Sequence, residues 1–478
     1  MTQPPPGSEP ELRAFAELQS RLPEMFRQLN GQPLKPRTVL VVPSLTLHPE
    51  ELAKVAGVHH YEERMLCMLS LLRFPRTRLI FVTSRPVDPT IIDYYLHLLP
   101  GIPSGHARRR LTLLACHDAS NKSLTEKLLD RPRLLERIRS QLGDLNTARL
   151  SCFNVTTLER SLAVRLGIPV YGCDPALAPL GSKSGSREAF AAAGIRFPEG
   201  VENLRDMDEA REALAKLKAD NRELKRAVVK LNEGFSGEGN ALFSFEGAPR
   251  KGALDAWLKE ELPKRLRFEA PEESFERFSQ KFEEMGGVVE EFVEGVIKNS
   301  PSVQCRVNPL GQAEVISTHD QVLGGPQGQV FLGCSFPASE EYRVELKEAG
   351  LKVAQVLRDR GVLGYFGIDF VSVRMPDRWE HYAIEINLRK GGTTHPFMLL
   401  QLLTDGAYDA RTGLYRMPTG QSRYYSATDN LRSESYMGLV PDDLIDLAVD
   451  HGLHFDAASQ EGVVFHLIGA LSEFGKLG

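Results

Sequence analysis

Ile368-Asp-Phe-Val371 and Glu385-Ile-Asn-Leu-Arg389 are the runs on which the reading of this chain turns. In the first, an acid interrupts an apolar strand, and a buried carboxylate must be paired or bound to a cation. In the second, polar residues fall at i, i+2 and i+4. The two-residue period of a strand sets Glu385, Asn387 and Arg389 on one face, with Ile386 and Leu388 on the other. The turn-forming Met375-Pro-Asp-Arg378 makes a hairpin of strands Gly364 to Val373 and His381 to Leu388, with Asp369 across from the polar row. Two carboxylates and an amide oxygen suit a hard cation such as Mg2+, which keeps several waters and completes its shell with substrate phosphates. Arg389 adds a fixed charge where a phosphoryl group or a carboxylate would sit. The plain alternative is a half-exposed strand with solvated charges, and the hairpin alone does not choose between them.

Upstream, Lys230-Leu-Asn-Glu-Gly-Phe-Ser-Gly-Glu-Gly239 ends the apolar strand Ala227 to Leu231 in a lysine and a glycine-rich loop. Gly234, Gly237 and Gly239 around Ser236 let backbone N–H groups approach an anion, and Lys230 adds charge for phosphate oxygens. No Gly-Lys-Ser/Thr opens a helix afterwards, and Asn240 to Phe245 reads as a strand, so neither a P-loop nor a dinucleotide fingerprint fits. Val288-Val-Glu-Glu-Phe-Val-Glu-Gly295 is a strand whose acidic end offers backbone donors and acceptors to a flat base, though acidic strand ends are commonly just solvated. Between these runs, Asp208 to Lys225 and Glu340 to Arg360 have helical spacing, the second stopped by Gly361.

Taken in order, these runs resemble the ATP-grasp superfamily over roughly Ala178 to Phe397, including Ser182-Lys-Ser-Gly-Ser-Arg187 at a helix start. With Ser317-Thr-His-Asp-Gln321, Gly391-Gly-Thr-Thr-His-Pro396 and Gly462-Val-Val-Phe-His-Leu467, the chain is similar to the pheganomycin-type peptide ligases, a carboxylate–amine ligase branch. The resemblance implies an ATP-dependent enzyme that makes an amide through an acyl phosphate. It implies ATP and Mg2+ (two ions, with Mn2+ as an alternative) and small-molecule carboxylate and amine substrates, amino acids or short peptides. Lys230 would hold the triphosphate, with Gly234, Ser236, Gly237 and Gly239 closing over it. Glu290 and the backbone of Glu291 and Val293 would meet adenine, and Asp369, Glu385 and Asn387 would hold the metal. The sequence departs from the family pattern in three places. Where many relatives carry a second nucleotide lysine stands Arg187, so Lys183 or Arg187 takes that role. The expected ribose acid falls on Ile297, leaving Glu294 as the substitute. The arginine expected two residues before the metal aspartate is Gly367, leaving Arg306 and Arg389 to meet the substrate carboxylate. A kinase acting on a hydroxyl, or a nucleotide-binding regulator without turnover, are the competing readings.

The rest of the chain supplies the frame. Short apolar runs at Thr38, Thr77, Leu111, Leu150 and Pro169 alternate with helix-like segments such as His59 to Arg73, the pattern of a parallel sheet covered on both faces. The expected fold is therefore mixed α/β and α+β. A flexible segment (1–30) precedes a parallel-sheet pre-ATP-grasp domain (31–177). A two-lobed ATP-grasp region (178–405) follows, with the nucleotide-covering lobe in 178–295. A polar, Tyr-rich, lid-like loop and a small C-terminal domain (406–478) end the chain. Relatives of this kind run past Gly478, so the end is read as either a shorter natural form or a trimmed one.

With 478 residues, a formal net charge of -5, 25% charged and 42% hydrophobic residues, the composition is that of a soluble multidomain protein with no pull toward nucleic acid or membrane. Six scattered cysteines form no Cys-x-x-Cys pair, so reduced thiols and a cytoplasmic setting are expected. His59-His60 beside Glu62-Glu63 reads as a polar helix start rather than a metal site. His395 is left between a substrate contact and a helix cap, and oligomeric state stays open, a homodimer being one option.

Overall fold

The structure is a computed structural model that describes residues 4–31, 35–47, 52, 55–234, 239–249, 252–270, 272–324, 328 and 330–478. Ser236 and Gly237 lie outside the described residues. The first apolar runs pair as a parallel sheet of β1 (Arg37–Val42), β2 (Thr77–Thr83), β3 (Leu111–Ala115) and β4 (Ala148–Cys152), in the order β3-β2-β1-β4. Alternation along β1 feeds two cores. Val39 and Val41 join Leu66 and Leu69, while Leu40 and Val42 join Leu128 and Leu162. The expected strand at Pro169 is a single parallel bridge, Leu150 to Val170.

Two helices lie in the stretch expected to be a flexible segment. Helices Glu9–Gln19 and Leu22–Gly31 form there, with Phe15 and Leu18 buried and Glu11 held by Arg160 (3.3 Å) and the Ser161 hydroxyl (2.6 Å). The Pro-rich opening masked an amphipathic stripe that starts a few residues later. Val58–Arg73 winds as a 3₁₀ helix, whose three-residue repeat stacks Leu66, Leu69 and Leu72 on one fully buried ridge and Tyr61 under Arg64 on another.

The middle of the chain makes two antiparallel sheets. The first has the order β5 (Gly200–Leu204), β9 (Gly287–Glu291), β6 (Arg226–Leu231), β7 (Asn240–Ser244), β8 (Arg267–Phe268). Ala227, Val229 and Leu231 of β6 pack with Leu214, Phe278 and Phe282 of the covering helices, which turns Val228 and Lys230 to the opposite face. The second sheet runs β14 (Trp379–Asn387), β13 (Gly364–Arg374), β10 (Lys298–Val307), β11 (Ala313–Gly324), β12 (Val330–Phe336), and the strand Tyr425–Thr428 closes its edge. Its inner side, including Val303, Ile368 and Ile386, packs against the helices Lys183–Ala193 and Arg343–Asp359.

That last helix lies so close that a Cβ on Gly350 would sit 2.6 Å from Val303 Cγ1. Alanine normally gains about 1 kcal/mol over glycine inside a helix. Here Gly350→Ala is expected to destabilise by about 1–3 kcal/mol through overpacking, read as a lowered melting temperature.

Two features show how 406–478 is anchored. In the Tyr-rich stretch, Tyr415 is fully buried with Phe336 and Phe397, and the Tyr425 hydroxyl meets His319 Nε2 at 2.7 Å. The tail returns to the first domain, where Phe465, Ile468, Leu471 and Leu477 join the core containing Leu66. There the Ile468 and Gly469 amides donate to Glu63 at 2.9 and 2.8 Å, while burial pushes that carboxyl up to about 7. Glu62 accepts from Ser84 N and Oγ, each at 2.6 Å, so both acids are structural.

Candidate active site

The hairpin pairs in the register its sequence calls for: Asp369 lies across from Glu385, Ile368 from Ile386 and Gly367 from Asn387. A bulge then leaves Ile384 as an extra residue in β14, next to the site. The Asn387 amide nitrogen is 2.9 Å from Asp369 Oδ2 and 3.1 Å from Glu385 Oε1, so one side-chain amide bridges both acids. Burial raises the Asp369 carboxyl above its usual range, against the opposing pull of Ser302, Lys183, Arg389 and Gln321. Gln321 donates to Asp369 Oδ1 at 2.9 Å. Two half-buried carboxylates this close are compensated here by Lys183, which pairs with Glu385. Turning the Asn387 amide over would present Oδ1 between the acids, giving three oxygen ligands of the kind a divalent hard cation takes. The donor set therefore fits Mg2+.

The covering sheet faces this set with one cation, Lys230, beside the acids Glu290 and Glu291. Lys230, opposite Val288, pairs with Glu290, its diagonal neighbour two residues along β9 on the same face. Glu290 also takes Arg187 at 3.3 Å. Arg187 is tied further to Glu202 (3.0 Å) and to the Pro198 carbonyl (2.8 Å), and it stacks 4.9 Å from the centre of the Phe197 ring. That leaves Lys183, not Arg187, reaching the acids of the hairpin. Burial and the nearby Lys230 hold the Lys183 ammonium down at about 7. Breaking a buried pair costs about 3–5 kcal/mol. Arg187→Ala is accordingly expected to lower the melting temperature sharply, whereas Lys183→Met, whose partner Glu385 is 26% exposed, should lower it less and raise the KM for ATP; kinetics and thermal melts on both variants check this.

A cavity of about 450 Å³ separates the two sheets. Val228, Lys230, Glu290, Glu291, Phe292 and Val293 line one side, and Gln304, Gln321, Asp369, Glu385, Asn387 and Arg389 the other. Burial raises the Glu291 carboxyl, whose Oε1 accepts from Glu199 N at 3.3 Å. Glu294 does not line the cavity among the described residues; it forms a double contact with Arg226 at 2.9 and 2.6 Å. Arg306 is likewise set outside it. Ser302, Gln304 and Arg306 share a face of β10, but Arg306 lies further along the strand, bound to Glu314 at 2.5 Å beside Tyr365. Arg389 remains at the cavity, with Nη2 3.0 Å from Asn387 Oδ1. Gly234 and Gly239 face each other where the glycine loop begins and ends, 3.3 Å from a would-be Cβ of Gly234 to Gly239 Cα. His395 is buried against His466, with ring centres 4.7 Å apart, and does not line the cavity among the described residues.

The sequence reading missed part of the wall. Ser302 and Gln321 reach Asp369 from neighbouring strands. Tyr61, Arg64, Asp429, Arg432 and Lys476 close the far end. Gln321 lies in a run already noted as particular. Nothing local marks the others, because Arg64 and its partner Asp429 are 365 residues apart.

Two antiparallel lobes that hold cations over a carboxylate–amide hairpin define an ATP-grasp enzyme. The chain belongs to the ATP-grasp family. The family described as IQCH-like, ATP-grasp matches residues 175–261 and 253–411, and the PGM1 C-terminal domain matches 443–478. An L-propargylglycine–L-glutamate ligase of Streptantibioticus cattleyicolor is 33% identical over 433 residues, covering 89% of this chain and 86% of that protein. IQ motif-containing protein H of Danio rerio is 23% identical and covers 90% of this chain, which spans only 45% of that longer protein. Among solved structures, an N5-carboxyaminoimidazole synthetase from Staphylococcus aureus complexed with ADP covers 93% of each chain at 14% identity and a TM-score of 0.46.

Proposed function

We propose that this chain is an ATP-dependent carboxylate–amine ligase that joins two amino-acid-like substrates. The observation that carries the reading is the joint placement of Asp369, Glu385 and Asn387 with Lys230 and Arg389 around one cavity, with Lys183 paired to Glu385 behind it. The relative named for L-propargylglycine and L-glutamate supports substrates of amino-acid size and charge. Six free, buried thiols among the described residues support a cytoplasmic setting.

A carboxylate resists attack by an amine, because its charge repels nucleophiles and oxide leaves poorly. A substrate carboxylate oxygen therefore attacks the γ-phosphorus of ATP, the bond to the β-phosphate oxygen breaks, and ADP leaves. The amine nitrogen then attacks the acyl carbon of the acyl phosphate, inorganic phosphate departs with the C–O bond electrons, and the nitrogen loses a proton. Bound Mg2+, held by Asp369, Glu385 and Asn387, supplies charge neutralisation on the transferred phosphoryl group. In this reading Lys230 and Lys183 hold the phosphates, and the backbone of Glu291 and Val293 meets adenine. Arg389 sets the attacking carboxylate, and burial keeps water from the acyl phosphate. Two ions, with Mn2+ as a substitute, belong to the same proposal.

Incubation with ATP, Mg2+ and a panel of amino acids and short peptides, read by ADP release and mass spectrometry, is the test. Amide formation that needs both an acid and an amine, and that stops with EDTA, is the expected result. A phosphate ester on a hydroxyl acceptor would replace the ligase by a kinase.

A further inference from the structure

The end of the cavity away from Lys183 and Lys230 carries charge that the phosphate chemistry does not use. Tyr61 and Arg64 reach it from one ridge of the 3₁₀ helix, and Phe153 from the loop after β4. Asp429 and Arg432 come from the chain just beyond the edge strand Tyr425–Thr428, and Lys476 from the last strand, Lys476–Leu477, which pairs with Leu431–Arg432. Arg64 donates to Asp429 Oδ2 at 2.6 Å and stacks 4.3 Å from the centre of the Tyr61 ring. The Lys476 ammonium bonds the Tyr61 hydroxyl. Arg64, Asp429 and Lys476 are buried, at 7%, 9% and 3% exposure. Two buried cations, Arg64 and Lys476, thus lie by one buried carboxylate, with the exposed Arg432 at the rim, an arrangement that costs desolvation energy unless a ligand answers it. A guanidinium carries five N–H donors in a fork matched to carboxylates, and among the described residues Nη1 and Nε of Arg64 are used, on Asp429 and the Tyr61 carbonyl.

The ligand follows from the signs. A polyphosphate would be repelled by Asp429, and a simple carboxylate would compete with that acid for Arg64 without offering it a cation in return. A zwitterion answers both: its carboxylate meets Arg64, Arg432 and Lys476, and its ammonium meets Asp429. Arg389 links this end to the phosphate end, because its guanidinium lies 5.9 Å from the Phe153 ring centre while that of Arg64 lies 5.6 Å from the same ring. Resting on the ligase reading above, we infer that Arg64, Arg432, Lys476 and Asp429 form the subsite for the α-carboxylate and α-ammonium of an amino-acid substrate. The C-terminal segment thereby completes the substrate end of the site instead of only packing on the first domain.

The test is binding of free L-amino acids, each beside its own α-amide, to the full chain in the presence of Mg2+ and a non-hydrolysable ATP analogue. The wild type is expected to bind at least one amino acid about tenfold or more tighter than its α-amide. In Lys476→Met, which keeps the buried volume, and in the surface-reaching Arg432→Ala, that preference should fall at least about threefold, with affinity for the ATP analogue unchanged. A wild type that does not distinguish acid from amide overturns the inference. So do variants that keep the full preference, or that lose only melting temperature, which would make the cluster a structural pin. The ligase reading fails by a different sign, the absence of amide product in the turnover assay, which this binding measurement does not use.

Discussion

Glu385→Ala is expected to lower turnover at least about a thousandfold while the fold survives, the scale of losing a charge-stabilising element at a phosphoryl-transfer centre. Glu385 is one of only two carboxylates in the hairpin set, and its side chain is 26% exposed. Its removal opens no core cavity, because the neighbours Ala383 and Ile386 carry the packing of β14. The same change leaves Lys183 facing the Asp369 and Glu290 carboxylates, so its charge stays compensated. Circular dichroism and thermal melting should match the wild type, and ADP release should be lost. Full activity in this variant would sink the metal assignment.

Lys230→Met is expected to raise the dissociation constant for ATP about 10–100-fold, the worth of one hydrogen bond to a charged group at about 1.5–3 kcal/mol. Lys230 is buried at 4% exposure, so methionine keeps most of its volume. Glu290 retains Arg187 as a partner, which limits the damage to the sheet. Calorimetry with ATP and Mg2+ separates the effect from turnover, and an unchanged affinity would count against Lys230 as a phosphate ligand.

How much was legible beforehand depended on how local each signal was. The hairpin was legible because strand alternation is a property of adjacent residues: Asp369, Glu385 and Asn387 converge as the period of two requires. The β6 lysine and the strand ending at Glu291 were legible for the same reason. The N-terminal helices were missed because Pro and polar residues precede the stripe of Phe15 and Leu18. In the Tyr-rich segment the hydroxyls look solvated, yet they find partners such as His319 and Thr404 and the rings pack. Between Lys183 and Arg187 the sequence did not choose. The structure ties Arg187 to Glu202, Pro198 and Phe197 and pairs Lys183 with Glu385 of the hairpin.

The amino-acid sequence by itself determined the strand pattern, the acid–amide row and the order of parts that marks an ATP-grasp chain, since these depend on spacing along a few residues. Tertiary structure alone decided which side chains share the cavity. It set Arg306 aside with Glu314, kept Arg389 at the acids, and brought Arg64, Asp429 and Lys476 together from distant parts of the chain. The physical reason is that periodicity fixes only the face a residue occupies. The depth at which it meets a ligand, and the charges it meets there, depend on how separate sheets and the returning tail are packed.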